Sequence, residues 1–149
     1  MRTINKFSMT LPSVSVNEAF ARAAISAFAV QLDPTIDELA DIKTAVSEAV
    51  TNCIVHAYKD VIGNIYINAE IKSDHSITIK IRDKGCGIEN IEQAMEPLFT
   101  TAGGERAGLG FAVMQSFMDS VRVRSKVGTG TTVVMKKIIS VRYSANGNK

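Results

Sequence analysis

The chain is poor in cysteine and proline and lacks any long apolar run. Its two cysteines, Cys53 and Cys86, make neither a disulfide framework nor a zinc site. No stretch approaches the ~20 apolar residues that span a bilayer. The opening Met1-Arg-Thr-Ile-Asn-Lys-Phe7 has no signal-peptide core, so a cytoplasmic protein is expected. Excess charge is also scarce: 17 Lys and Arg against 15 Asp and Glu leave +2, too weak a bias to argue for nucleic acid or an anionic membrane. No G-x-x-x-x-G-K-[ST] occurs, which excludes a P-loop, and the catalytic-loop signature of protein kinases is missing. What is present is ordinary for a soluble domain, 46% hydrophobic and 21% charged over 149 residues. That length fits one domain, expected over residues 1–143, with 144–149 as a disordered tail.

Local patterns set an order of elements. Residues 2–9 read as a strand, broken by Pro12 and Ser13. Residues 16–31 carry Phe20, Ala24, Ala27 and Phe28 at helical spacing. Asp33-Pro34 suits an N-cap and first helical position, with Asp37 and Glu38 near the positive end of the dipole. That second helix should run to about Tyr58, with Leu39, Ile42, Val46, Ala49, Val50, Cys53 and Ile54 as its apolar stripe. Ile65, Ile67, Ala69 and Ile71, then Ile77, Ile79 and Ile81, alternate with polar residues as two strands of a hairpin. A largely irregular stretch over 84–109 precedes a helix from about Leu109 to Asp119. A last hairpin joins 121–126 to 131–137 across Gly128. The order predicts an α+β two-layer sandwich, a mixed sheet with helices on one face.

Four clusters carry the chemistry. Glu48, Asn52 and His56 follow one another at i, i+4 and i+8 beside the apolar stripe. Glu48 offers a general base, and Asn52 a neutral oxygen of the kind Mg²⁺ takes; a solvated helix edge is the plain alternative. His56 reads as structural or helix-terminal. Strand parity puts Asp83 on the core-facing side with Ile77, Ile79 and Ile81. A carboxylate there needs a partner, which an adenine amino group would supply, unless Asp83 merely opens a turn. Gly85 and Gly87 permit close approach to a ligand. Gly108-Leu109-Gly110 before a helix suits a phosphate seat. Residues 97–107 suit a lid, from which Arg106 would meet the γ-phosphate. Gly128-Thr-Gly130-Thr131-Thr132 reads either as a plain hairpin turn or as part of the same site.

In this order the clusters resemble the GHKL superfamily of ATPases and kinases. Glu48 to Asn52 matches its N box; Asp83-Lys-Gly-Cys-Gly87, Gly108-Leu-Gly110 and Gly128-Thr-Gly130-Thr131 match its three glycine boxes. Asn17-Glu-Ala-Phe-Ala-Arg22, Lys43-Thr-Ala-Val-Ser-Glu-Ala-Val-Thr-Asn52 and Pro97-Leu-Phe-Thr-Thr101 further resemble the anti-sigma-F factors of endospore-forming bacteria. The resemblance implies a homodimeric serine protein kinase that sequesters the sporulation sigma factor F and phosphorylates a serine of the anti-anti-sigma factor. It implies ATP and Mg²⁺ as cofactors. Glu48 would be the base and Asn52 the metal ligand; Asp83, Gly85, Gly87 and Thr132 would lie at adenine. Thr100, Thr101, Gly108, Leu109 and Gly110 would hold the nucleotide, Arg106 would contact the γ-phosphate, and Arg22 would touch the protein partners. Two other readings are a general-stress anti-sigma kinase and a non-catalytic, ATP-gated sigma-binding module.

Overall fold

The computed structural model describes residues 2–96 and 107–141. The segment 97–106, with Thr100, Thr101 and Arg106, and the expected tail lie outside the described residues.

Strands β2 (Asn64–Lys72) and β3 (Ser76–Asp83) form the expected hairpin. Their alternation is what buries one face. Ile67 pairs with Ile81, Ala69 with Ile79 and Ile71 with Ile77, and all six side chains are buried. Each buried isoleucine contributes roughly 1.5–3 kcal/mol of hydrophobic stabilisation.

Strand β1 (Thr3–Pro12) is longer than the pattern predicts. Pro12 ends it, opposite Asn64 on a sheet edge, where a missing N–H costs no ladder bond. Helix α1 (Val16–Ala29) adds Ala21, Ile25 and Ala29 to the core, and its Phe28 ring meets Phe7 of β1 edge-on at 4.8 Å.

Helix α2 (Ile36–Asn52) begins later than Asp33-Pro34 suggests. Asp33 is left-handed (φ 52°) and closes the 3₁₀ turn Val30–Leu32. Thr35 is the cap instead: its Oγ1 accepts from Glu38 N–H (3.0 Å), and Glu38 Oε1 accepts from Thr35 N–H (2.9 Å). This reciprocal box satisfies two donors where Asp33 would satisfy one. The expected continuation to Tyr58 is a π-helical turn, Cys53–Ala57, closed by Tyr58 N–H to Cys53 C=O at 3.1 Å.

A short helix α3 (Ile91–Met95), helix α4 (Ala107–Phe117), and the hairpin β4 (Ser120–Lys126) and β5 (Gly130–Ile138) complete the fold. The five strands lie in the order β1-β2-β3-β5-β4. The α+β two-layer architecture is as expected, but the sheet is not mixed among the described residues, for every pairing is antiparallel. The chain leaves β3, crosses by two helices and returns as β4 one place further out. β5 then turns back into the gap, so the parallel pair β3 and β4 never touch. Asp83 is thereby paired with Thr131, which brings two distant glycine clusters to one strand end.

Candidate functional site

Helix α2 carries Glu48 and Asn52 one turn apart, and α4 crosses in front of them. The point of approach is Gly110. A Cβ there would lie 3.2 Å from both Nδ2 and Oδ1 of Asn52 and 3.3 Å from Glu48 Oε1. The two side chains therefore converge on one spot of bare backbone. Asn52 Nδ2 is buried and has no hydrogen-bond partner among the described residues. Such an orphan is costly in a finished interior and leaves the amide available to a water, an ion or a ligand. Rotating the amide exchanges its nitrogen and oxygen, so the same position serves a donor or a cation.

Asp83 lies at the end of β3, only 6% exposed. Its Oδ1 accepts from Gly85 N–H (2.9 Å) and Thr131 N–H (3.2 Å), and its Oδ2 from the Cys53 thiol (3.6 Å). The core-facing parity expected of Asp83 holds, for β3 extends through it, so it does not merely open a turn, although its carboxylate also bonds into the turn that follows. Burial pushes its pKa up, against the pull of the two backbone N–H groups and the thiol, and the net shift is upward. The carboxylate floors a cleft between sheet and helices walled by Ala49, Asn52, Ile81, Phe111, Thr131 and Val133. The cleft is apolar apart from a few placed polar groups, as small-molecule sites are.

The turn after Asp83 is pinned on two sides. Cys86 N–H reaches Ala57 C=O (3.1 Å), Gly128 N–H reaches Cys86 C=O (2.8 Å), and Ile88 N–H reaches Ser125 Oγ (2.7 Å). Gly87 has φ 79°, and a Cβ on it would sit 2.3 Å from Lys126 C=O. Gly87→Ala should therefore destabilise the fold by more than about 2 kcal/mol, from left-handed strain plus a backbone collision. Thermal unfolding should show this as a Tm lower by roughly 4–8 °C; an unchanged Tm would mean the turn has room to move.

Several expected residues fall elsewhere. Thr132 pairs with Arg82 and turns to the outer face of the sheet, while Thr131 is buried and lines the cleft. In a run reading Gly-Thr-Gly-Thr-Thr the parity is set by where β5 starts, at Gly130, which the sequence does not reveal. Gly108 and Leu109 do not precede α4 but belong to its first turn, whose N–H groups have no intrahelical acceptors. Arg22 Nε binds Glu18 Oε2 at 2.9 Å, and Ser47 Oγ bonds the same oxygen. Arg22 borders one surface groove together with Lys43, Ser47 and Glu48. His56, at the end of the π turn, gives its carbonyl to the Cys86 thiol at 3.3 Å.

Sequence reasoning named Thr131 only within the third glycine cluster, Cys53 only in the apolar stripe and Tyr58 only as a helix end. The Tyr58 hydroxyl accepts from Lys84 N–H (2.7 Å) and donates to Asn64 C=O (2.6 Å), fixing the start of the pinned turn. The nearest signal was Gly63, whose Cβ would overlap the Tyr58 ring.

A cleft over a buried carboxylate, with Gly87 in its wall, a polar helix edge alongside and no P-loop, is an arrangement suited to a small ligand, and the family match places the chain in the ATPase and kinase class. The histidine kinase-like ATPase domain family matches residues 12–137. The chain is 59% identical to an anti-sigma F factor of Caldanaerobacter subterraneus over 136 residues, 91% of this chain and 94% of that one. It is 58% identical to an anti-sigma F factor of Thermoanaerobacter sp. over 93% of this chain and 97% of the other. For that of Clostridium acetobutylicum the identity is 51%, over 89% and 93%. The chain thus belongs to the histidine kinase-like ATPase domains and, among them, to the anti-sigma F factors. Among solved structures, the RsbU and RsbW domains of Rv1364c from Mycobacterium tuberculosis superpose with a TM-score of 0.69 at 21% identity, covering 93% of this chain and 33% of that one. The histidine kinase domain of Erythrobacter litoralis EL346 gives 0.55 at 19% identity, over 82% and 60%. At such identities the likeness bears on the fold.

Proposed function

We propose that the protein is an anti-sigma factor that binds and inhibits the sporulation sigma factor F and, with ATP and Mg²⁺, phosphorylates a serine of the anti-anti-sigma factor. It would act in the cytoplasm as a homodimer. The observation that carries the reading is the convergence of Glu48 and Asn52 on Gly110. In this reading Asn52, in the wall of the cleft, would serve as the neutral oxygen ligand, and Glu48, one turn earlier on the same helix and facing the neighbouring groove, as the base.

Adenine would enter between sheet and helices, its amino group donating to Asp83 Oδ2. Thr131 would flank it where Thr132 was expected, and Gly85 and Gly87 would allow the tight turn beside it, since a side chain on either would collide with the backbone of Ala57 or Lys126. The amides of Gly108, Leu109 and Gly110 in the first turn of α4 would face the phosphates. The residues present fit a metal: Asn52 supplies one oxygen, and phosphates with water supply the rest, as is usual for Mg²⁺. When bound, the metal neutralises charge on the phosphate oxygens. Glu48 would orient the substrate serine and take its proton as its oxygen bonds to the γ-phosphorus and the β–γ bridging bond breaks, leaving ADP. Arg106 is proposed to meet the γ-phosphate, and Thr100 and Thr101 to help hold the nucleotide. Arg22 shares a groove with Glu48, which suits a docking position for a partner that must bring its serine to that carboxylate.

The test is incubation with γ-labelled ATP, Mg²⁺ and an anti-anti-sigma protein, with and without sigma F. Label on a serine of the anti-anti-sigma protein, and capture of sigma F in its absence, are the expected results. Tight ATP binding without transfer would remove the kinase half of the proposal.

A further inference from the structure

The two oxygens of Asp83 are held unequally. Oδ1 takes two backbone N–H donors, whereas the partner of Oδ2 among the described residues is the thiol of Cys53. Cys53 is 4% exposed, is the first residue of the π-helical turn, and lines the cleft beside Asp83. A helix that continued regularly past Asn52 would present a different face here, and π turns inside helices often mark functional positions.

Resting on the nucleotide reading above, we infer that Cys53 is a positioning residue for adenine recognition. Its thiol donates to Asp83 Oδ2 and fixes the carboxylate so that the remaining lone pair of that oxygen points into the cleft, at the exocyclic amino group of the purine. The chemistry suits the task. A thiol is a weak, neutral donor, so it orients the carboxylate without forming an ion pair that would blunt it as an acceptor. A buried cysteine serving only as a small apolar filler would make no such directional contact.

The experiment compares ATP with purine riboside triphosphate, which lacks the 6-amino group, by calorimetry on the full chain. If Cys53 acts through Asp83, Cys53→Val weakens ATP roughly three- to tenfold and leaves the des-amino analogue within about twofold. Cys53→Ser, which restores a donor, keeps ATP within about twofold of the wild type. Equal losses for both nucleotides, or no loss for either, would overturn the inference, because a packing defect does not distinguish a purine by its amino group. Should Cys53→Val not fold, Cys53→Ala makes the same comparison with a smaller side chain. If the wild-type protein binds neither nucleotide, the nucleotide reading itself falls and this inference with it; wild-type binding with unselective variants sinks this inference alone.

Discussion

Glu48→Gln is expected to lower phosphoryl transfer to the anti-anti-sigma factor by about 10²–10⁴-fold, the usual worth of a positioned base. ATP affinity should stay within a few-fold of the wild type. The amide has the size and rotamers of the carboxylate, so the contact with Gly110 at the crossing of α2 and α4 is kept. What is lost is the ability to accept the serine proton as the new P–O bond forms. Single-turnover transfer measured beside equilibrium ATP binding separates the two effects. If both fall together, Glu48 holds the nucleotide and is not the base.

Asp83→Asn should cost on the order of 100-fold in ATP affinity. The reason is geometric. The carboxylate accepts on both oxygens: from Gly85 and Thr131 N–H on one, from the thiol and, in the proposed complex, the purine amino group on the other. An asparagine must put its NH₂ on one side or the other, and each choice sets donor against donor. The same carboxylate makes a pH signature. Its folded pKa is raised, chiefly by burial. Such a group contributes stability below its unfolded value of about 3.9, and that contribution is lost as pH rises through the higher folded value. The nucleotide-free wild type should therefore lose stability from this group from about pH 4 upward, and the Asn variant should not. Urea unfolding across that window checks the sign. Parallel curves for the two proteins would mean Asp83 is not desolvated in solution.

What the sequence disclosed was whatever depends on period. Alternation put Asp83 on the inner face, and the i, i+4 spacing put Glu48 and Asn52 on one helix edge. Both hold because neighbouring residues repeat the signal many times. What it hid depends on single junctions. Whether Thr131 or Thr132 faces the cleft hangs on one residue of register at Gly130. The start of α2 hangs on whether Asp33 or Thr35 caps it, and Glu38 decides this by reaching back. The π turn after Asn52 has no periodic mark at all. It is visible only as a carbonyl bonded five residues on, and with it came the pairing of Cys53 with Asp83. The antiparallel placing of β5 between β3 and β4 was likewise beyond local pattern, since it is settled by which edge the returning chain finds free.

The bond from Thr131 N–H to Asp83 spans 48 positions of the chain, and that separation has a kinetic meaning. Contacts so distant in sequence form only after the intervening loop has closed. The floor of the cleft is therefore complete only once β5, the last of the described strands, has docked beside β3. A chain in which β5 had not docked would lack the Thr131 N–H that, in the proposed complex, shapes Asp83 as the adenine acceptor. ATP would thus bind completed molecules alone and add to their stability by mass action, about 2.7 kcal/mol at a hundred times its Kd. In a cell rich in ATP, the cofactor would also act as an inspector of finished folding, sparing molecules that have placed their last strand and leaving the rest to proteolysis.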